Sequence, residues 1–140
     1  MKLKIKRLHP DAVLPSYAHP GDAGLDLFCL ETFKLSPGEK KSVPTGIAME
    51  IPKGYVGLIW DKSGVSALGG IKNLGGVVDA GYRGDIVAIL INLSKKTFTF
   101  EKGHKMAQLL IQRVENPQIV EVKAISNTKR GAGKFGSTGK

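Results

Sequence analysis

The chain is expected to be all-β: a single-domain, jelly-roll-like barrel of short strands with at most one short helix. Three observations lead there. Glycine makes up 18 of 140 residues, near twice the usual ~7%, so the backbone turns often. Apolar runs are short, many alternate with period two, and turn signals recur every eight to twelve residues or so, the rhythm of a sandwich or jelly roll. A single stretch, Asp61–Gly70, breaks that rhythm.

The elements follow in order. Lys2–Leu8 alternates, with Leu3 and Ile5 on one face and Lys2, Lys4 and Lys6 on the other, which is a half-buried strand. His9–Gly21 carries Pro10, Pro15 and Pro20 and is extended or looped, because proline blocks helix. Gly21–Leu30 is a turn running into a strand. Phe33–Leu35 is a short strand closed by Ser36-Pro37-Gly38. Lys40–Ile51 is extended, and Pro44 assigns it to an edge or a bend. Pro52-Lys53-Gly54 turns the chain into a strand at Tyr55–Trp60. Within DKSGVSALGG, Ser63 is placed as the cap of one helical turn ending at Leu68.

Ile71–Val78 and Gly84–Leu93 are strands. Gly75–Val78 and Gly84–Leu93 flank a tight Asp-Ala-Gly turn and read as a hairpin. Thr97–Phe100 is strand-like and ends in Glu101-Lys102-Gly103. Met106–Val114 has a composition that suits a helix equally well, but strands on every side favour a strand. Glu121–Ile125 alternates and is expected to be the last strand.

A length of 140 residues is one domain's worth and allows a hydrophobic core without staples. Cys29 is the single cysteine, so no internal disulfide forms and a zinc–thiolate centre is disfavoured. His9, His19 and His104 show no metal-ligand spacing. The net charge of +9 attracts polyanions, nucleic acid and nucleoside triphosphates alike, and charge alone does not choose between them. MKLKIKRLHP lacks an apolar signal core, and no apolar run approaches a membrane span, so a soluble, cytoplasmic protein without a membrane partner is expected.

The chemistry concentrates in GGVVDAGYRGDI, Gly75–Ile86, which holds the carboxylate of Asp79 and the ring of Tyr82. A carboxylate fixed on a rigid turn meets the need of a general base. Aspartate also simply stabilises turns, and this stretch alone leaves both readings open. From Asn127 the composition shifts: NTKRGAGKFGSTGK has four glycines and four basic residues around one large apolar residue, Phe135. A division follows, with a core at 1–126 and a flexible arm at 127–140. Gly, Ser and Thr beside Arg and Lys are the composition of a phosphate cradle, although the arm is not a Walker A loop. A frayed tail is the plainer alternative.

Five patches, DAGLDL at 22–27, DKSG at 61–64, GVVDAGYRGDI at 76–86, GHKMAQL at 103–109 and RGAGKFGSTGK at 130–140, resemble in order and interval the five motifs of the trimeric dUTP diphosphatases. The resemblance covers nearly the whole chain. It implies a β jelly roll, hydrolysis of dUTP to dUMP and pyrophosphate with Mg2+, and a homotrimer whose active sites lie at subunit interfaces. Asp79 then corresponds to the general base that activates water for attack on the α-phosphorus. Tyr82 corresponds to the ring beneath the deoxyribose, which leaves no room for a 2′-hydroxyl. Asn73, Gly76 and Ile86 correspond to the hairpin that reads uracil. Asp26 corresponds to an acid near the metal's bound waters, the ion itself being held mainly by substrate phosphates, while Asp22 is assigned a structural part.

Ser63 and Gly64 correspond to contacts with the α–β phosphate region. Lys62 stands where the family more often has arginine, and a point charge replaces a bidentate fork. Lys105 is the same exchange in the fourth motif, whose Gln108 corresponds to a phosphate contact. In the arm, Arg130 corresponds to a γ-phosphate contact, Phe135 to a ring stacked on uracil, and Gly136, Ser137 and Thr138 to the phosphate-donor segment. Lys134 replaces a frequent glycine and is read as solvated.

Three rivals stand against this reading. The dCTP deaminases of related fold carry a glutamate where this chain has Ile89, which cannot activate water. A nucleic-acid-binding module is disfavoured by dispersed charge and 6% aromatic content, so no stable nucleic-acid partner is expected. A catalytically dead nucleotide sensor is disfavoured by the presence of Asp79.

Overall fold

The computed structural model describes residues 1–134. Among them lie eleven strands and one helix: β1 Lys4–Arg7, β2 Leu25–Phe28, β3 Phe33–Leu35, β4 Lys40–Pro44, β5 Ile47–Glu50, β6 Tyr55–Asp61, α1 Ser63–Gly69, β7 Ile71–Leu74, β8 Val77–Val78, β9 Val87–Asn92, β10 Phe98–Phe100 and β11 Lys105–Arg113. Period-two alternation settles which residues face inward. In β9, Ala88, Leu90 and Asn92 are buried between less buried neighbours; in β11, Leu109 lies within the core and Gln112 at the surface. The 105–113 segment is thus a strand, as its neighbours required, and not the helix its composition also allowed.

Four antiparallel sheets result, ordered β1-β5, β10-β3, β2-β11-β6-β8 and β4-β9-β7. They enclose one core in which Leu27, Leu35, Ile47, Leu90, Phe100 and Leu109 are almost fully buried. Each such side chain contributes roughly 1.5–3 kcal/mol. Phe33 stacks on Phe100 with centroids 4.8 Å apart. Buried Asn92 satisfies its amide on the carbonyls of Leu35 and Lys96, at 2.9 and 2.8 Å, and its Oδ1 accepts the Ser94 amide. Cys29 is buried, its Sγ 3.0 Å from the Glu101 carbonyl, and burial pushes its thiol up. No helix among the described residues is long and apolar enough to cross a membrane.

Four expectations need correction. The Gly75–Leu93 segment is not a two-stranded hairpin. β8 pairs with β6 (Gly57 opposite Val78), whereas β9 pairs with β7 and β4, so residues 79–86 pass from one sheet to another. Lys40–Ile51 splits at Thr45-Gly46: β4, an edge strand ending at Pro44 as that proline required, pairs with β9, and β5 pairs with β1. Ser63 does not cap α1. The N-cap is Lys62, no side chain caps it, and Ser63 is the exposed first helical residue. Glu121–Ile125 forms no strand: its alternation is real, but it has no sheet partner among the described residues, and Val122 and Ile125 are exposed.

Candidate active site

Strands β2, β11 and β6 run side by side, so Gln108 of β11 is the register partner of both Asp26 and Trp60. Asp26 is 1% exposed. The segment before β2 covers it, the Asp26 amide donating to the Ser16 carbonyl at 2.8 Å. An isolated carboxylate in that position would be costly. Two cations meet it: Lys62 Nζ lies 2.5 Å from Oδ1 and Lys105 Nζ 2.7 Å from Oδ2. The first, second and fourth motif patches therefore converge on one buried charge. Burial pushes the Asp26 carboxyl up, but the hydrogen bonds and charges of Lys105 and Lys62 outweigh it, and the net shift is downward.

Because the folded pKa lies below the unfolded one, these ion pairs stabilise the fold fully above the ordinary carboxylate range. Their contribution is lost as pH falls through the depressed value. Asp26→Asn is expected to lower the melting temperature at neutral pH and to flatten its fall in acid. Melting curves from about pH 7 down to about pH 3 test this, and parallel acid limbs for the two proteins would count against it.

The second group of residues lies beyond β7. Asn73, 5% exposed, donates from Nδ2 to the Ile59 carbonyl at 3.0 Å. Its Oδ1 is buried and has no partner among the described residues. Gly76 has φ +106, and a Cβ there would stand 2.6 Å from the Ile59 carbonyl and 3.0 Å from Asn73 Nδ2, so only glycine fits. After β8 the chain turns. Asp79 is exposed, its carbonyl accepts the Tyr82 amide at 3.0 Å, and no hydrogen bond engages its carboxylate among the described residues. Arg83 Nη1 braces the turn on the carbonyls of Ala80 and Tyr82 at 2.6 and 2.7 Å. Tyr82 is 47% exposed and its hydroxyl donates to the Asp85 carbonyl at 3.0 Å.

Two depressions adjoin here. One, about 260 Å³, is lined by Trp60, Lys72, Asn73 and Gly76 among others; the second, about 240 Å³, by Asp79, Tyr82, Ile86 and Ile89 among others. Both include Ile59, Gly76 and Val77. Each alone is smaller than the ~300–1,000 Å³ of a typical ligand pocket. A larger hollow of about 350 Å³ beside β1 and β5 contains none of the sequence-predicted residues.

Asp61 joins the two groups, and sequence reasoning gave it no part. Its Oδ1 accepts the Asn73 amide at 2.6 Å, its Oδ2 pairs with Lys72 Nζ at 2.6 Å, and its carbonyl accepts Gln108 Nε2 at 2.8 Å. The available signal was its place directly before Lys62-Ser63-Gly64. Lys62, Asp26 and Gln108 thus form one group with Ser63 and Gly64 adjoining in sequence. Asn73, Gly76, Asp79, Tyr82 and Ile86 form the other. Asp22 closes a turn by accepting the His19 amide at 2.9 Å, the structural part expected of it. Arg130 is exposed, and its Nε reaches the Gly133 carbonyl at 3.3 Å. Phe135, Gly136, Ser137 and Thr138 lie outside the described residues.

Known proteins can be set beside this geometry. A solved structure of a point mutant of the dUTPase of Staphylococcus bacteriophage 80alpha with dUpNHpp is similar to this chain at TM-score 0.94 and 32% identity, over 99% of each chain. The D-to-N mutant dUTPase of phage phi11 of S. aureus, whose structure concerns the coordination of a structural Mg(II) ion, is similar at TM-score 0.85 and 30% identity, over 91% of this chain and 100% of that one. The deoxyuridine 5′-triphosphate nucleotidohydrolase of Mycolicibacterium gilvum is 50% identical over 98% of this chain and 94% of its own length. The dUTPase family model matches residues 11–139. Likeness of sequence and fold across almost the entire length leaves one conclusion: this chain belongs to the dUTPase family.

Proposed function

We propose that this chain hydrolyses dUTP to dUMP and pyrophosphate, keeping uracil out of DNA and supplying dUMP for thymidylate synthesis. The observation that carries the reading is the braced turn at 79–86. Among the described residues it holds an unengaged carboxylate and an aromatic ring on one recess, and the adjoining recess is lined by Asn73, whose buried Oδ1 lacks a donor. An unpaired buried acceptor is unfavourable by about 1–3 kcal/mol. The imide N–H of uracil is a donor that satisfies it, whereas the corresponding ring nitrogen of cytosine is an acceptor. Gly76 and Ile86 read the rest of the base through their backbone. Tyr82 packs beneath the sugar and excludes a 2′-hydroxyl. Asp79 takes the proton of the water that attacks the α-phosphorus.

Lys62, Ser63, Gly64, Lys105 and Gln108 meet the phosphates, and Arg130 meets the γ-phosphate. Ser63, free of a capping role, has its hydroxyl available for this. Phe135 stacks on the base while Gly136, Ser137 and Thr138 supply donors. Magnesium is the expected cation, yet the described residues contain no cluster of three His, Cys, Asp or Glu side chains able to hold it. Both Asp26 oxygens face lysine ammoniums, so a direct carboxylate ligand does not fit, and contact through water is the reading that remains for Asp26. An ion brought by the triphosphate would neutralise phosphate charge.

The site is completed between chains of a homotrimer in this reading. Ile119, Val120, Val122 and Ile125 leave the domain exposed, an apolar strip suited to a neighbouring copy. Incubating the protein with each dNTP and with UTP in magnesium, and measuring pyrophosphate, tests the function. Rapid release from dUTP alone is expected. Equal rates with dCTP or UTP would defeat the specificity assigned to the recess and Tyr82.

A further inference from the structure

The Tyr82 ring can gate the sugar only if its height above the recess is fixed, and what fixes it comes from elsewhere in the chain. The Tyr82 hydroxyl donates to the Asp85 carbonyl at 3.0 Å. Gly84 permits this fold-back, since a Cβ there would collide with the phenol oxygen. The Asp85 carbonyl and the Ile86 amide belong to one planar peptide unit. That amide donates to the Ile47 carbonyl at 2.9 Å, so β5 sets the plane in which the tyrosine's acceptor lies.

The corner between β4 and β5 holds both sides of this unit. The Thr45 hydroxyl, on a residue 1% exposed, donates to the Ile86 carbonyl at 2.7 Å, and the Thr45 amide reaches the same oxygen at 3.1 Å. One hydroxyl carries one proton, and its second acceptor, Asp85 Oδ1, lies farther off at 3.2 Å. That carboxylate oxygen is held chiefly by the Gly46 amide at 3.0 Å. All these contacts link Thr45, Gly46 and Ile47 to Asp85 and Ile86, the two residues that share the peptide carrying Tyr82's acceptor.

We infer that Thr45 and Asp85 are positioning residues for sugar discrimination, holding the Tyr82 ring where it excludes a 2′-hydroxyl. Both are assigned to act through the Tyr82 ring, although Asp85 also borders the recess. The inference rests on the part proposed above for Tyr82. Thr45→Val keeps the shape of the side chain and deletes its donor. Asp85→Ala deletes the carboxylate that receives the Gly46 amide. Thr45→Ser and Asp85→Asn retain a hydroxyl and an acceptor oxygen.

The experiment compares kcat and KM for dUTP and UTP across wild type and the four variants, below each one's melting transition. Thr45→Val and Asp85→Ala are expected to lower the dUTP-to-UTP ratio of kcat/KM by about tenfold, with kcat for dUTP kept within about threefold. Thr45→Ser and Asp85→Asn are expected to keep the wild-type ratio. A wild type that hydrolyses dUTP, with an unchanged ratio in Thr45→Val and Asp85→Ala, overturns the positioning role and leaves the proposed function standing. Equal loss of selectivity in the conservative variants also overturns it, because the hydrogen bonds would then not be the cause. A wild type inactive on dUTP removes the proposed function and this inference together.

Discussion

Asp79→Asn is expected to reduce dUTP turnover by roughly 10²–10⁴-fold while nucleotide binding survives. The amide keeps the size of the carboxylate but does not accept a proton from water. The structure makes this a clean separation of chemistry from folding. The Asp79 side chain is exposed and takes no hydrogen bond among the described residues, whereas its turn is held by the Tyr82 amide on the Asp79 carbonyl and by Arg83. Loss of the charge therefore leaves the turn in place. Steady-state pyrophosphate release measures the first effect, and titration with a non-hydrolysable dUTP analogue the second. Near-normal turnover would remove Asp79 from the role of base and return it to a turn-stabilising one.

Truncation after Asn127 is expected to leave the domain folded and trimeric but to cut turnover severely. The described residues past that point bond locally: the Gly131 amide to the Thr128 carbonyl and the Gly133 amide to the Arg130 carbonyl, both at 3.1 Å. The buried core reaches Leu109, with Ile111 packed against it, and no residue from 112 to 134 is buried. Deleting the described part of the segment thus removes nothing the domain packs against. What truncation removes, in the proposed function, is the cover of the site. In that reading Phe135 would stack on uracil, a contact of about 1–3 kcal/mol. Ordering a chain segment opposes such closure by roughly 1–2 kcal/mol per residue, so in the proposed function closure would require the whole triphosphate and dUMP would not hold it. Thermal melts, sedimentation and turnover of the truncated and full-length proteins decide the matter, with about three chains per particle expected for both. Unchanged turnover would make 127–140 a frayed tail. Unfolding would make it structural.

Much of this was legible in the residues themselves. Alternation located β1, because a period of two is a property of neighbours in sequence. Apolar runs bounded by turn residues, such as Tyr55–Trp60 after Pro52-Lys53-Gly54, marked where strands begin. The five motif patches and the residues between them pointed to Asp26, Lys62, Asn73, Asp79, Tyr82 and Gln108 without any structure. Pairing was another matter. Val77 and Val78 looked like one arm of a local hairpin, yet they pair across to Leu58 and Gly57. Alternation at Glu121–Ile125 declared a face to be buried, and no strand among the described residues covers it.

The chemistry of the site divides along the same line. Sequence alone determined which side chains are available: a carboxylate and a tyrosine on one turn, lysines near Ser63 and Gln108, and a glycine-rich arm. Tertiary structure decided what each of them meets. Asp26 is a buried counter-ion because Lys62 and Lys105, distant along the chain, arrive on its two oxygens. Asp61 joins the two groups of residues, and Thr45 reaches the Ile86 carbonyl, one peptide beyond the one that accepts the Tyr82 hydroxyl. Side-chain identity and periodicity are local and survive in a string of letters. Hydrogen bonds and ion pairs fall off within a few ångströms, so they exist only after folding has brought together residues dozens of positions apart.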